Sequence, residues 1–427
     1  MISPDFSEEA PAQAPAQAPR KLPQLWGNRD YMLLWSGQAV SAIGTQVSTI
    51  AFPFLVLALT GSLAQAGFIG GLRALPYLIF SLPAGALIDH WDRKRVMIIC
   101  DAGRALALGS IPVAVLLGQL TMLQLYIVST VEGTLFVFFN LAEVACLPRV
   151  VPPEQLPAAT AQNSATDGAS FLLGPALGGA LFSLGQMLPF LGDAVSYAIS
   201  VISLLCIRTR FQGERTMVKH RLHAEIEEGL VWLWRQPLIR FMAFLTGSYN
   251  LLSAGYLLVI IALAKQMHAS DFAIGVIFSI AGVGGIVGSI LGAPLQKRLR
   301  FPVVIIGTTL VGMALWPPLI FAPTIWWLGA ISAVSFLTGP IYNVTQFSYR
   351  LALIPDVLQG RVNSVFRLLA FGGQPIGLAL TGLALEHIGT DNTIWIIFAG
   401  FIVMSLSTVL NKHLRGARPV EGLRPAA

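Results

Sequence analysis

Charge is scarce in this chain. Asp, Glu, Lys and Arg make up 11% of its residues, whereas 55% are hydrophobic and the mean hydropathy is +0.71. Soluble domains carry roughly twice that share of charge, so composition excludes an ordinary water-soluble fold. Cysteine is scarcer still: Cys100, Cys146 and Cys206 are an odd and dispersed set, giving neither a disulfide framework nor metal-ligand spacing. No Gly-x-x-x-x-Gly-Lys run occurs, which argues against direct ATP drive, and no cofactor is expected. The six histidines fall in expected loops or at span ends, and His220 and His223 lack acidic or cysteine company, so no enzyme site is expected. The first residues do not run basic, then apolar, then small, and so they form no secretory signal.

What the chain has instead is apolar length. Twelve stretches of about 20 residues, each enough to cross ~30 Å of hydrocarbon, are expected at 31–58, 67–88, 96–118, 122–144, 158–184, 187–208, 240–264, 272–295, 301–322, 325–347, 362–385 and 391–412. Of the 27 Lys and Arg, all but Lys265, Arg73, Arg104 and Arg367 lie at the termini or in every second gap. Basic loops stay in the cytoplasm. The pattern therefore predicts an all-α protein of the cell's inner (plasma) membrane, with both termini cytoplasmic. The net charge of +6 traces this rim and forms no compact groove, so membrane lipid rather than nucleic acid is the expected partner. Trp316, Trp326 and Trp327 flank Pro323, as an interfacial aromatic belt would.

The chain divides into an expected disordered cytoplasmic tail at 1–24 (PAQAPAQAP), six-helix bundles at 25–208 and 240–413, a linker at 209–239 and a second tail at 414–427. In the linker, Leu222, Ile226, Leu230 and Leu233 recur at helical spacing, predicting an amphipathic helix along the membrane surface. Asn163-Ser164 and Pro175 in the fifth span recur at one common offset as Asn363-Ser364 and Pro375 in the eleventh. Repeated halves with Gly/Pro-interrupted spans point to a transporter whose site lies between them.

Gly85-Ala-Leu-Ile-Asp89-His-Trp-Asp92-Arg93-Lys94-Arg95 closes the second span. Asp89 stands at a helix C-terminus, where the macrodipole disfavours an anion, so it needs a compensating cation. That is either a basic turn that sets topology or a charge latch that holds one conformation shut. Gly85, Asp89, Arg93 and Lys94 resemble the loop motif between the second and third helices of the major facilitator superfamily, with His90 standing where that family usually has Arg. Gly292-Ala-Pro-Leu-Gln296-Lys297-Arg298 looks like a decayed second copy.

Gly174-Pro175-Ala-Leu-Gly178-Gly179 resembles the Gly-Pro motif of antiporters in that superfamily, although a structural kink is the plain alternative. Together with Asn28-Arg29-Asp30-Tyr31, Thr60-Gly61-Ser62, Leu147-Pro148-Arg149-Val150-Val151-Pro152 and Gln359-Gly360-Arg361, these stretches resemble the twelve-helix drug–proton antiporter branch, including macrolide-efflux and enterobactin-exporter-like proteins. The resemblance implies a monomeric proton-coupled exporter of amphipathic small molecules working by alternating access. A lysophospholipid or metabolite carrier, and more remotely a non-transporting sensor, are the alternatives.

Charged groups at bilayer depth need a partner or a wet cavity. Glu132, near the middle of the fourth span, and Asp167 are candidates for proton coupling. Asp101 and Arg104, one turn apart, read as an intrahelical pair that shares the latch. Arg73 either snorkels outward or pairs with Asp193. Phe136, Asn140, Asn250 and Asn343 are candidates for lining a drug-sized cavity.

Overall fold

The computed structural model describes residues 25–212 and 222–417. The tail at 1–24, His220 and the last residues of the second tail therefore lie outside the described residues, as does the side chain of His223. The first six crossings are α1 (Arg29–Thr60), α2 (Leu63–His90), α3 (Arg93–Leu116), α4 (Met122–Val150), α5 (Leu156–Leu184) and α6 (Leu188–Cys206). A linker helix α7 (Leu222–Arg235) follows. The remaining crossings are α8 and α9 (Pro237–Ser253, Tyr256–Gln266), α10 (Asp271–Arg298), α11 and α12 (Phe301–Ala314, Pro317–Ile320), α13 (Ile325–Leu353), α14 and α15 (Gln359–Phe371, Gln374–His387) and α16 (Thr390–Leu410), ending in α17 (Lys412–Arg415). These supply 12 helices or helix pairs long and apolar enough to cross a membrane, as the hydropathy pattern predicts. An even number of crossings brings both described chain ends to one face, the terminus face; the opposite one is the far face.

Helix ends are set by short-range chemistry. Asn28, Ser62, Asp92, Thr121 and Ser270 each accept a backbone N–H three residues on and so start α1, α2, α3, α4 and α10. The Asn28–Tyr31 stretch also ties the first half together at the terminus face. Asn28 Nδ2 donates to Val150 O at 2.8 Å, and Asp30 accepts from Thr209 N at 2.8 Å. The two repeat prolines diverge. Pro175 lies inside a continuous α5, whereas Pro375 follows Gly372-Gly373, and there the eleventh crossing breaks into two helices.

One feature, Trp316, departs from the sequence reading. Trp316 is 3% exposed and packs on Tyr256 and Phe401, so it belongs to the core; Trp326 and Trp327 are exposed, as a belt requires. In α7, Leu233 is buried but Leu230 is exposed. Gly229, not Leu230, faces the neighbouring α14, where a Cβ would stand 2.8 Å from Arg361 O.

The halves meet along two seams, α2 against α15 and α5 against α10. Both are built on glycine. A Cβ on Gly67 would lie 2.6 Å from Leu378 O, and one on Gly71 would lie 2.9 Å from Pro375 O. Gly179 and Gly275 abut the backbone of Asp271 and Pro175 in the same manner. These contacts lie in the far-face halves of their helices. There Ser62 Oγ, and Ala64 N at 2.8 Å, also donate to the Glu386 carboxylate across the seam, at the N-terminus of α2.

Candidate functional site

Between the seams and the terminus face lies a cavity of about 790 Å³. Its N-terminal wall comes from α1, α2, α4 and α5 with Arg104 of α3, and its C-terminal wall includes Arg367, Phe371, Gln374 and Leu378. The lining runs outward to Trp35, Gln38, Asn163 and Asp167, toward the terminus face. On α4 the spacing of Glu132, Phe136, Asn140 and Glu143 places all four on one helical face, and all four line the cavity.

Glu132 is held by two guanidiniums from other helices. Arg73 binds it through Nε and, at 3.2 Å, through Nη2, while Arg104 Nη2 reaches Oε1 at 3.2 Å. Glu132 and Arg104 are 1% and 3% exposed. Charges this deep persist only when paired and hydrogen-bonded, and here each group has several partners. Arg73 Nη1 donates to Thr49 Oγ1 at 2.8 Å. Arg104 donates to the Tyr197 hydroxyl and stacks 4.0 Å from that ring, and Tyr197 in turn bonds Thr45 at 2.7 Å. The four helices α1, α2, α3 and α4, with α6, thus share one polar core.

Three expectations change with that network. Arg73 pairs with Glu132 instead of snorkelling or meeting Asp193. Asp101 does pair with Arg104, at 3.5 Å, but the pair belongs to the Glu132 core and not to the loop latch. Asp193 is fully buried and forms no ion pair with either arginine.

The latch residues bind within the first half. Arg93 Nη1 donates to Ala145 O at 2.6 Å and Lys94 Nζ to Ile207 O at 2.7 Å, anchoring the start of α3 to α4 and to the end of α6. Among the described residues, nothing lies within 4 Å of a Cβ on Gly85. The Asp89 side chain lies outside the described residues.

The antiporter-type stretch is a packing surface on two sides. Gly174 and Gly178 admit α1, where a Cβ on Gly178 would stand 2.8 Å from Val47 O, and Gly179 admits α10. Beside Pro175, Ala176 N donates to Ser279 Oγ of α10 at 3.2 Å, a bond between the halves.

Asn250 and Asn343 do not reach the large cavity. They line a separate pocket of about 100 Å³ between α8, α11, α13 and α16, and Asn250 Nδ2 is committed to Ala370 O at 2.8 Å. Sequence reasoning missed Glu143, which lines the main cavity with Asp167. Its place on the 132–136–140–143 stripe was the available signal.

Two glycine-seamed helical bundles around a drug-sized cavity define a membrane carrier. Residues 26–419 match the family model described as "Transmembrane secretion effector". The chain belongs to that family and is a transporter of the major facilitator superfamily. It is similar to the multidrug efflux pump Tap of Mycolicibacterium fortuitum, 25% identical over 404 residues that cover 90% of this chain and 96% of the relative. It is also similar to macrolide efflux protein A of Streptococcus pyogenes, 25% identical over 395 residues, 89% of this chain and 94% of the relative. Among solved structures, the nucleoside transporter NupG superposes with a TM-score of 0.72 at 13% identity, over 91% of this chain and 100% of that one.

Proposed function

We propose that the protein is a secondary exporter, working as a monomer in the cell's plasma membrane, that moves amphipathic, positively charged small molecules outward in exchange for protons. The basic rim supports a cytoplasmic terminus face. In that orientation the far-face seams hold the outer side shut, and the cavity is open to the cytoplasm, ready to take substrate. Efflux pumps among the relatives support the direction.

The observation that carries the reading is the charge on the two walls. Glu143 and Asp167 line the N-terminal wall, and neither makes an ion pair among the described residues. Across the cavity stands Arg367, 5.7 Å from the Tyr77 ring. A cationic substrate satisfies the two carboxyls in the open state. Protons replace it after the outward turn. Opposite charge on facing walls also favours closure of the terminus face when the cavity is empty. Aromatic groups at Trp35, Tyr77, Phe136 and Phe371 supply the apolar contact that such substrates need.

The test is transport of a cationic dye such as ethidium by the purified protein in liposomes with an imposed pH gradient. Wild type should accumulate dye against its concentration gradient only when protons flow the other way. Glu143→Gln should lower that accumulation at least tenfold while the protein remains folded. Dye accumulation without a pH gradient, or an undiminished rate in Glu143→Gln, contradicts the reading.

A further inference from the structure

A third carboxyl in the polar core has no cation of its own. The core holds two guanidiniums, Arg73 and Arg104, and three acids, Asp101, Glu132 and Asp193, of which each acid is 1% exposed or less. Glu132 pairs with both arginines and Asp101 with Arg104, which balances the charge. Asp193 is left over. Its Oδ1 accepts from Ser196 Oγ at 3.1 Å, and its Oδ2 has no hydrogen-bond partner among the described residues. It is pressed against Gly44 of α1 so closely that a Cβ on Gly44 would collide with Asp193 Oδ1. A net negative charge sealed in such a place is costly, and a proton on the carboxyl removes it.

We propose that Asp193 is a proton-binding site, linked to the cavity through the Tyr197–Arg104–Glu132 core; the inference rests on the proton-driven reading above and names where one proton is held. Tyr197 lies one turn along α6 from Asp193, and its hydroxyl meets both Arg104 and Thr45. Thr45, Arg104 and Glu132 all line the cavity.

Asp193 is bonded by Ser196 of its own helix and lies within electrostatic reach of Ser48 of α1, Arg104 of α3, Glu132 of α4, Arg73 of α2 and Tyr197 of α6. When the O–H bond of Asp193 breaks, one proton passes to water and one negative charge remains on the carboxylate. That charge competes with Glu132 and Asp101 for Arg104. Glu132 then faces the cavity with less compensation, so the substrate wall senses the proton at Asp193.

Two measurements test this. In liposomes, Asp193→Asn should leave exchange of dye for dye at equal pH within about twofold of wild type. Accumulation driven by a pH gradient should fall at least tenfold and lose its pH dependence, and Asp193→Glu should restore part of it. In wild type at neutral pH, dicyclohexylcarbodiimide, which reacts with protonated carboxyls in apolar surroundings, should label Asp193 and spare Glu132 and Asp101, as read by mass spectrometry. Unchanged gradient-driven transport in Asp193→Asn overturns the proposal. So does an unlabelled Asp193 in wild type, which decides the matter even if the variant fails to fold. Labelling of Asp193 in a protein that moves no dye would instead leave the proton site standing and remove the exporter reading.

Discussion

Two guanidiniums on one carboxylate determine what Glu132 can do. Its depth in the fourth span was legible from sequence, because an acid ten residues into an apolar stretch has no other place to be. Its partners were not, since Arg73 and Arg104 come from other helices and only packing brings them within reach. The consequence is a structural role that a lone carboxyl would not have. Glu132→Gln leaves both arginines without their shared carboxylate, and breaking a buried pair this way costs about 3–5 kcal/mol. Thermal unfolding in detergent should show a clear drop in melting temperature for Glu132→Gln. Glu143→Gln, which removes a carboxyl outside that network, should melt close to wild type. Equal melting of Glu132→Gln and wild type would show that the network contributes nothing to stability.

Helices were the most legible level of this chain, and the contacts between them the least. The cap residues and the apolar runs announce each crossing, and the glycines of α5 announce a close neighbour. What sequence could not say is which neighbour: Gly178 receives α1, whereas Gly179, the next residue, receives α10 of the other half. The same gap explains Trp316, whose ring faces inward on Tyr256 instead of joining Trp326 and Trp327 at an interface. It also explains Asn250, a polar group that the chain satisfies with the free carbonyl of Ala370 near the break between α14 and α15. At the far face the seam between α2 and α15 is fastened by Glu386, which accepts from Ser62 and Ala64. These bonds cross the seam only while the far face is shut, so they bias the balance toward that state. In Glu386→Gln, a cysteine placed at Ala66 of the cavity lining should react faster with an impermeant maleimide added on the far side. No change in that rate would mean the carboxylate does not hold the seam.

At the scale of the whole molecule, crossing number, two-half organisation and the basic rim were all readable, because hydropathy and charge act on long averages. Which end was sealed was not, because that depends on the relative tilt of two bodies that the same sequence can pack in two ways. In the proposed cycle Glu143 and Asp167 of the N-terminal wall stand apart from Arg367 while the terminus face is open and meet it when that face shuts. The most direct measurement is a pair of spin-label distances in liposomes. One pair joins Ala161 of α5 to Lys297 of α10 at the terminus face, and the other joins Leu184 of α5 to Phe272 of α10 at the far face. As conditions shift from dye-loaded to dye-free at raised pH, where the empty carboxyls are ionised, the first distance should shorten while the second lengthens. Two distances that stay fixed, or that change in the same sense, would contradict a carrier whose halves rock about a central cavity.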